Sequence, residues 1–348
     1  MRTFSYASSP AGLLDDRLLS LVASIHEHKG RQDLFIEAKA DSLEALCEIA
    51  KIQSTGASNR IEGICTTDDR LAQLMHERVA PHNRDEQEIA GYRDVLSLIH
   101  ENYDAIPLTP PVILQLHKML YRYSGYTFGG HWKDTDNAIA EIDQQGNATI
   151  RFRPLPAIVT PEAIGRICNA YDEALSKQSI DPLILIAMFT FDFVFIHPFT
   201  DGNGRMSRLL TLLLLYKNGF IVGRYISLEH LIEQSKDTYY DALRQSSLGW
   251  TEGFNDYRPF VSYLLGCIRL SYREFEDRVD GIAINKTSKA RRIEMVIQRK
   301  GRPLSRAEIH NLCPDISDIT IKRSLSALVK EGKIEMLGAG KNTTYRWL

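Results

Sequence analysis

The chain lacks most of the features that assign a protein to a class at a glance. Its five cysteines, Cys47, Cys65, Cys168, Cys267 and Cys313, are scattered without a C-x-x-C pair. That excludes a disulfide framework and a cysteine-rich metal site, and it fits reduced thiols. The longest apolar run, Leu183 to Ile196, is shorter than a bilayer helix and contains Asp192, so no membrane span is expected. The opening MRTFSYASSPAGLLDD has no apolar stretch of the signal-peptide kind. A cytoplasmic location is the expectation from these three absences. Internal repeats and low-complexity tracts are missing too, and strand signals are few.

Charge of one sign is also missing from the whole, with 42 Lys+Arg against 44 Asp+Glu in 348 residues. The balance hides an asymmetry. Residues 286–348 hold 14 Lys+Arg and 6 Asp+Glu, a net +8, which leaves −10 for the rest. A basic tail on an acidic body implies separate partners for the two parts. Hydrophobic content of 44% and charged content of 25% suit a globular chain with a substantial core.

What is present is mostly helical periodicity, from Leu13 to about Ile99. A helix is expected over Ser42–Ile61 with Gly63 as its stop, then Arg84–His100 and Val112–Tyr123. Two short extended runs around Gln144–Asn147 read as a β-hairpin. Helices resume near Pro161, Pro182, Asn203, Asp237 and Tyr257. Beyond Gly281 the pattern becomes three helices and two strands flanking Gly338–Thr344. That is a winged helix-turn-helix arrangement, with Ser317–Lys330 in the recognition-helix position. The expected fold class is mainly α with a hairpin, followed by a small α+β domain. The expected divisions are 1–105, 106–280 and 281–348.

Between two apolar helices lies HPFTDGNGRMSR, residues 197–208. Pro198 biases His197 toward extended backbone, so the first helix should end there. Gly202 and Gly204 allow a tight turn, and a helix N-terminus preceded by glycines is an anion site built of backbone N–H groups. Arg205 and Arg208, three apart on the first turn, can grip phosphate oxygens. Asp201 suits Mg²⁺, which favours a carboxylate together with substrate phosphates. Asn203 can donate to a phosphate oxygen, and the ordinary pKa of His197 suits a base acting on an incoming hydroxyl. Read physically, the loop predicts phosphoryl or nucleotidyl transfer.

The same stretch resembles the signature of Fic proteins, H-x-F-x-[DE]-G-N-G-R-x-x-R, at every defined position. The resemblance implies a helical Fic core that transfers AMP from ATP to a hydroxyl-bearing side chain of a target protein. On that pattern His197 is the general base and Asp201 the Mg²⁺ ligand. Gly202, Asn203 and Gly204 form the anion hole, Arg205 holds phosphates, Arg208 holds the γ-phosphate, and Phe199 anchors the loop. Glycine at 204 favours AMP transfer over the phosphate transfer of the related Doc pattern. The hairpin takes the chain position of the family's flap, whose second strand, Ile150–Arg153, would pair with an extended target segment. Tyr239, with Tyr240 beside it, would pack against adenine.

A second stretch, SNRIEG at 58–63, resembles the family's inhibitory motif [ST]-x-x-x-E-[GN], with Ser58, Glu62 and Gly63 in the matching positions. The resemblance implies an auto-inhibited enzyme of the N-terminal class, in which Glu62 pairs with Arg208 and spoils the γ-phosphate site. Self-modification and a homodimer are compatible with it. Two other readings stay open. In one, a DNA-binding regulator uses its Fic core as a sensor, with the winged helix contacting DNA or protein. In the other, the enzyme removes AMP or uses another nucleotide donor.

Overall fold

The computed structural model describes residues 2–6, 10, 12–38, 40–76, 79–142, 148–283, 288–338, 340 and 343–348. In chain order these form α1 (Asp16–Ala38), α2 (Ala40–Ile61), α3 (Asp68–His76), α4 (Arg84–Asn102), α5 (Pro110–Leu120), β1 (Ile139–Ile142), β2 (Ala148–Phe152) and α6 (Thr160–Lys177). There follow α7 (Pro182–Ile196), α8 (Asn203–Lys217), α9 (Leu228–Gln234), α10 (Lys236–Ser247) and α11 (Arg258–Ala283). The last elements are α12 (Lys289–Lys300), β3 (Leu304–Ser305), α13 (Arg306–Leu312), α14 (Asp318–Lys330), β4 (Ile334–Leu337) and β5 (Thr344–Trp347). The fold is mainly α, as expected. It divides into two compact units, residues 1–29 with 46–271, and residues 30–45 with 272–348.

The centre of the first unit is the pair α7 and α8. From Leu183 to Ile196 every side chain except Val194 is buried, and so is every one from Arg205 to Tyr216. Side chains buried all round a helix require neighbours on every side; α6 packs on α7, and α4 on α8. Pro182 occupies the first turn of α7, where its missing N–H costs nothing, and Asp181 caps the end by accepting from Leu183 N. Thr190 and Thr211 share a hydrogen bond of 2.8 Å across the two helices.

The lone carboxylate of α7 is fully enclosed and fully partnered. Asp192 accepts from Tyr6 Oη and Trp250 Nε1 at 2.7 Å each, and from Tyr257 Oη at 2.9 Å. Arg2 lies 3.6 Å from it. Its neighbours supply the hydrogen bonds that a buried charge must have.

One local expectation is corrected. His197 is not extended but left-handed, at φ 53° and ψ 62°. The helix still stops where expected, because the His197 N–H turns back to Phe193 O at 3.1 Å and closes the last turn as a left-handed cap. Hydrogen bonds from outside the helix, described below, outweigh the local bias set by Pro198.

Strands β1 and β2 pair antiparallel, with Ala140 opposite Ile150 and Ile142 opposite Ala148. The hairpin is therefore present; the turn residues Gln144–Asn147 lie outside the described residues. Phe152 at the end of β2 packs on Phe195 and Trp250, with ring centroids 4.7 and 5.9 Å away.

In the second unit α12, α13 and α14 surround a core of Ile293, Ile297, Ile309, Ile321 and Leu325. Its antiparallel sheet runs β3-β5-β4. The short β3 was not legible in sequence, since two residues carry no alternation to read. Ser305 and Glu308 form a reciprocal capping box at the start of α13. Ser317 caps α14.

Helices α4 and α5 touch at Gly91, where an added Cβ would stand 1.8 Å from the Leu120 carbonyl oxygen. Backbone cannot yield as a side chain can. Gly91→Ala should lower stability by about 3 kcal/mol, read as a shift of the urea unfolding midpoint at unchanged slope.

Candidate functional site

The loop from His197 to Gly202 is held by groups that lie far from it in sequence. Its carbonyls are taken up one after another from behind. Lys133 Nζ donates to Ile196 O at 3.3 Å, and Lys133 N to Pro198 O at 2.9 Å. Phe199 O accepts from Asn203 Nδ2 at 2.8 Å and from Asn137 Nδ2 at 3.3 Å. Asp201 O lies 3.1 Å from His117 Nε2. Since Gly130 N–H donates to His117 Nδ1 at 3.0 Å, the proton of this imidazole sits on Nε2 and points at Asp201 O. Burial pushes His117 down to about 4, so it stays neutral in this role.

Phe199 is fully buried. The His117 ring stacks on it at 3.7 Å, and Trp132 on it at 5.3 Å. The anchoring expected of Phe199 is thus a concrete contact. With the carbonyls turned back, the N–H groups that begin α8 are left facing forward. Gly202 allows this turn at φ 81°, a region open to glycine at little cost.

His197 is half-buried at the end of α7. Its Nδ1 lies 3.2 Å from Val194 O, and a carbonyl can only accept, so Nδ1 carries the proton and Nε2 keeps its lone pair. Burial pushes this imidazole down to about 4, with Lys133 adding to the depression while Val194 O, Glu62 and Asp201 oppose it. It is neutral, and therefore proton-accepting, throughout the neutral range.

Beside it opens a cavity of about 340 Å³ that brings Glu62, His197, Gly204, Arg208, Tyr239 and Phe152 together. Arg208 is 4% exposed and Glu62 32%. Arg208 Nη2 donates to Glu62 Oε1 and to Ser58 O at 2.8 Å each, and Nε donates to Ser58 Oγ at 2.8 Å. The Glu62 carboxylate also rests on the first turn of α8. A Cβ added at Gly204 would stand 2.1 Å from Glu62 Oε1. An anion thus already lies at the helix N-terminus, where the dipole and free N–H groups favour one. Gly63, at φ 81°, ends α2 just beyond. The tip of α2 is tied down by Arg60 to Glu233 at 2.5 and 2.9 Å, and by Lys236 Nζ to Ile61 O at 2.8 Å.

Other expected residues lie elsewhere. Arg205 is 1% exposed and turned inward, with Nη2 2.7 Å from Glu88 Oε2 and 2.7 Å from Tyr121 Oη. The Asn203 amide grips the Phe199 backbone from both sides, accepting from its N–H at 2.9 Å. Asp201 keeps its side chain 47% exposed, 3.9 Å from both Arg84 and Arg205. One of its oxygens accepts from Gly202 N. Tyr239 is buried between Tyr263 and Phe260, with Tyr240 alongside on the cavity wall.

Sequence reasoning passed over His117, Lys133, Asn137, Glu88 and Arg244, the last an exposed cation on the cavity rim. The one available hint was density: GGHWKDTDN at 129–137 gathers glycines, an aromatic and polar side chains in a loop with no periodicity.

A helix N-terminus and a buried guanidinium beside a neutral histidine form a setting suited to an anion. The particular family follows from comparison. Residues 107–215 match the Fic/DOC family model. A relative in Nematostella vectensis, "Protein adenylyltransferase Fic", is 25% identical over 248 residues, which is 68% of this chain and 52% of that protein. One in Caenorhabditis briggsae, "Protein adenylyltransferase fic-1", is 35% identical over 117 residues, 33% of this chain and 20% of that one. The chain spans about half or less of the length of these curated relatives. In fold it is similar to a Fic family protein from Desulfovibrio desulfuricans G20, with TM-score 0.64 and 24% identity over 96% of this chain and 97% of the other. Fic-1 from C. elegans, residues 134–508, aligns at TM-score 0.60 and 21% identity over 78% and 74%. No described helix is long and apolar enough to cross a membrane.

The hold on the loop is testable. His117→Phe would keep the stack on Phe199 but leave Asp201 O and Gly130 N–H without partners. A loss of about 3 kcal/mol is expected, measured by urea unfolding followed through tryptophan fluorescence.

Proposed function

We propose that this chain transfers AMP from ATP to a hydroxyl side chain (Tyr, Ser or Thr) of a target protein, itself included, and that Glu62 holds it at rest. The observation that carries this reading is the tautomer of His197. Its unprotonated Nε2 belongs to the residue that lines one side of a cavity whose other side is the α8 N-terminus and Arg208. A hydroxyl entering along β2 would give its proton to Nε2. Its oxygen would bond to the α-phosphorus as the bond to the bridging oxygen breaks, and pyrophosphate would leave. Tyr239 and Tyr240 on the cavity wall would border the adenine, and Arg208 would take the γ-phosphate.

Mg²⁺ fits Asp201. Its carboxylate is half-exposed, and among the described residues no group of three or more His, Cys, Asp or Glu could hold a metal unaided. An ion there would rely on phosphate oxygens for most of its ligands, as Mg²⁺ commonly does. When bound it would neutralise phosphate charge. Arg205 and Asn203 serve the same reaction from behind, by fixing the loop rather than by touching phosphate.

Glu62 opposes the reaction twice over. It engages the guanidinium that would hold the γ-phosphate, and its charge lies at the helix end that would receive phosphate. Removing it should release the enzyme. Incubated with α-³²P-labelled ATP and Mg²⁺, Glu62→Gly should take or transfer label at least about tenfold faster than wild type, since one charge-assisted contact is worth about 1.5–3 kcal/mol. His197→Ala in the same background should be silent. An equal rate in wild type and Glu62→Gly would sink the brake; label on the His197→Ala double variant would sink the base. Label on neither enzyme would favour another donor or the reverse reaction, in which Glu62 orients water to release AMP from a modified target.

A second reading takes the C-terminal unit as a winged helix that contacts DNA. Lys322, Arg323 and Lys330 are exposed on α14, the face such a helix would turn to DNA. If DNA is the partner, affinity of the full chain for a labelled duplex should fall at least about tenfold between about 50 and 200 mM salt. It should fall further in Lys322→Glu/Arg323→Glu. Binding without salt dependence, or none, would leave docking to a protein as the role of this unit.

A further inference from the structure

Lys133 is 3% exposed, and a lysine so buried ordinarily has an anion for a partner. Here no carboxylate among the described residues comes within ion-pair distance, and Asp136 acts on it only from farther off. Its ammonium donates instead to two neutral oxygens, Asn137 Oδ1 at 2.9 Å and Ile196 O at 3.3 Å. Burial pulls the amine down to about 8. Holding two carbonyls could be done by an amide at smaller cost in desolvation, so the placement of a charge here calls for a reason.

The place itself supplies one. Ile196 is the last residue of α7, and a cation at a helix C-terminus meets the negative end of its dipole. The next residue, His197, is one of two non-glycine residues with positive φ among those described, a conformation disfavoured for a residue with a side chain. Lys133 stands astride it. The side chain takes the carbonyl of the residue before, and the backbone N–H takes the carbonyl of the residue after. Asn137, which receives the ammonium, also donates to Phe199 O.

We propose that Lys133 is a positioning residue for the base: it locks both sides of His197 so that the ring keeps Nδ1 on Val194 O and Nε2 free. This rests on the reading of His197 as the base. The charged groups facing that ring are Lys133, Glu62 from α2 and Asp201 from its own loop, with Arg208 of α8 and Arg244 of α10 lining the same cavity.

The test uses the full chain labelled with ¹⁵N-histidine, the His197 signals being assigned with His197→Gln. In wild type the ring nitrogens should report a fixed Nδ1–H tautomer. In Lys133→Met, which keeps the stem and loses the donor, they should move toward a mixture of tautomers. The midpoint of titration should also rise, because a like charge has gone. In the Glu62→Gly background, Lys133→Met should lower kcat about tenfold or more with KM for ATP within about twofold, and Lys133→Arg should recover part of the loss. Lower thermal stability with unchanged nitrogen shifts and unchanged kcat would overturn the proposal. If Lys133→Met does not fold, Asn137→Leu removes the acceptor of the ammonium and should shift the same signals by less; no shift there would overturn it too. Should the Glu62→Gly parent transfer nothing, the base role fails, while the nitrogen shifts still decide whether Lys133 holds the ring.

Discussion

Two helices with almost no exposed face are joined by a loop whose backbone is largely enclosed. That constraint shapes everything around residues 197–208. Buried carbonyls need donors, and here Lys133, Asn137, Asn203 and His117 supply them. A peptide unit with its carbonyl turned back presents its N–H forward. The anion-binding character of the start of α8 is therefore the reverse face of a satisfied core.

Burial of the Arg208 guanidinium adds the second constraint. A charge at 4% exposure must have an anion near it, and only one group at a time can occupy the end of α8. In this structure Glu62 fills that place, and the tip of α2 is secured by Arg60 and Lys236. On the proposed function, rest and activity differ in which anion sits on the same two supports. The competition needs no remote signal to be understood, because it is fought over one guanidinium and one helix end.

How much of this could be read beforehand depended on distance along the chain. Most helices of the first unit stand where periodicity placed them; α2 and α7 match within two residues at each end and α8 begins at the expected Asn203, whereas the short α9 was not foreseen. The contact between Glu62 and Arg208 was legible because each lies in a contiguous motif. Lys133 and His117 were not, for they reach the loop across 63 and 84 positions, and nothing in local pattern links them. Direction of side chains was the other blind spot. Arg205 and Arg208 look equivalent as letters three apart, yet one turns into the core toward Glu88 and the other faces the cavity. The left-handed His197 shows the same limit in backbone form, since a local preference before proline yielded to hydrogen bonds formed only in the folded chain.

Gly204 carries a consequence for the history of such a chain. The space left by its missing side chain is the space that the Glu62 carboxylate fills. Any larger residue at 204 would have to displace the carboxylate before it disturbed anything else. Positions 62 and 204 are consequently one choice written in two places: a descendant that enlarges the second has already surrendered the first, and restraint and recognition would be inherited, or lost, together.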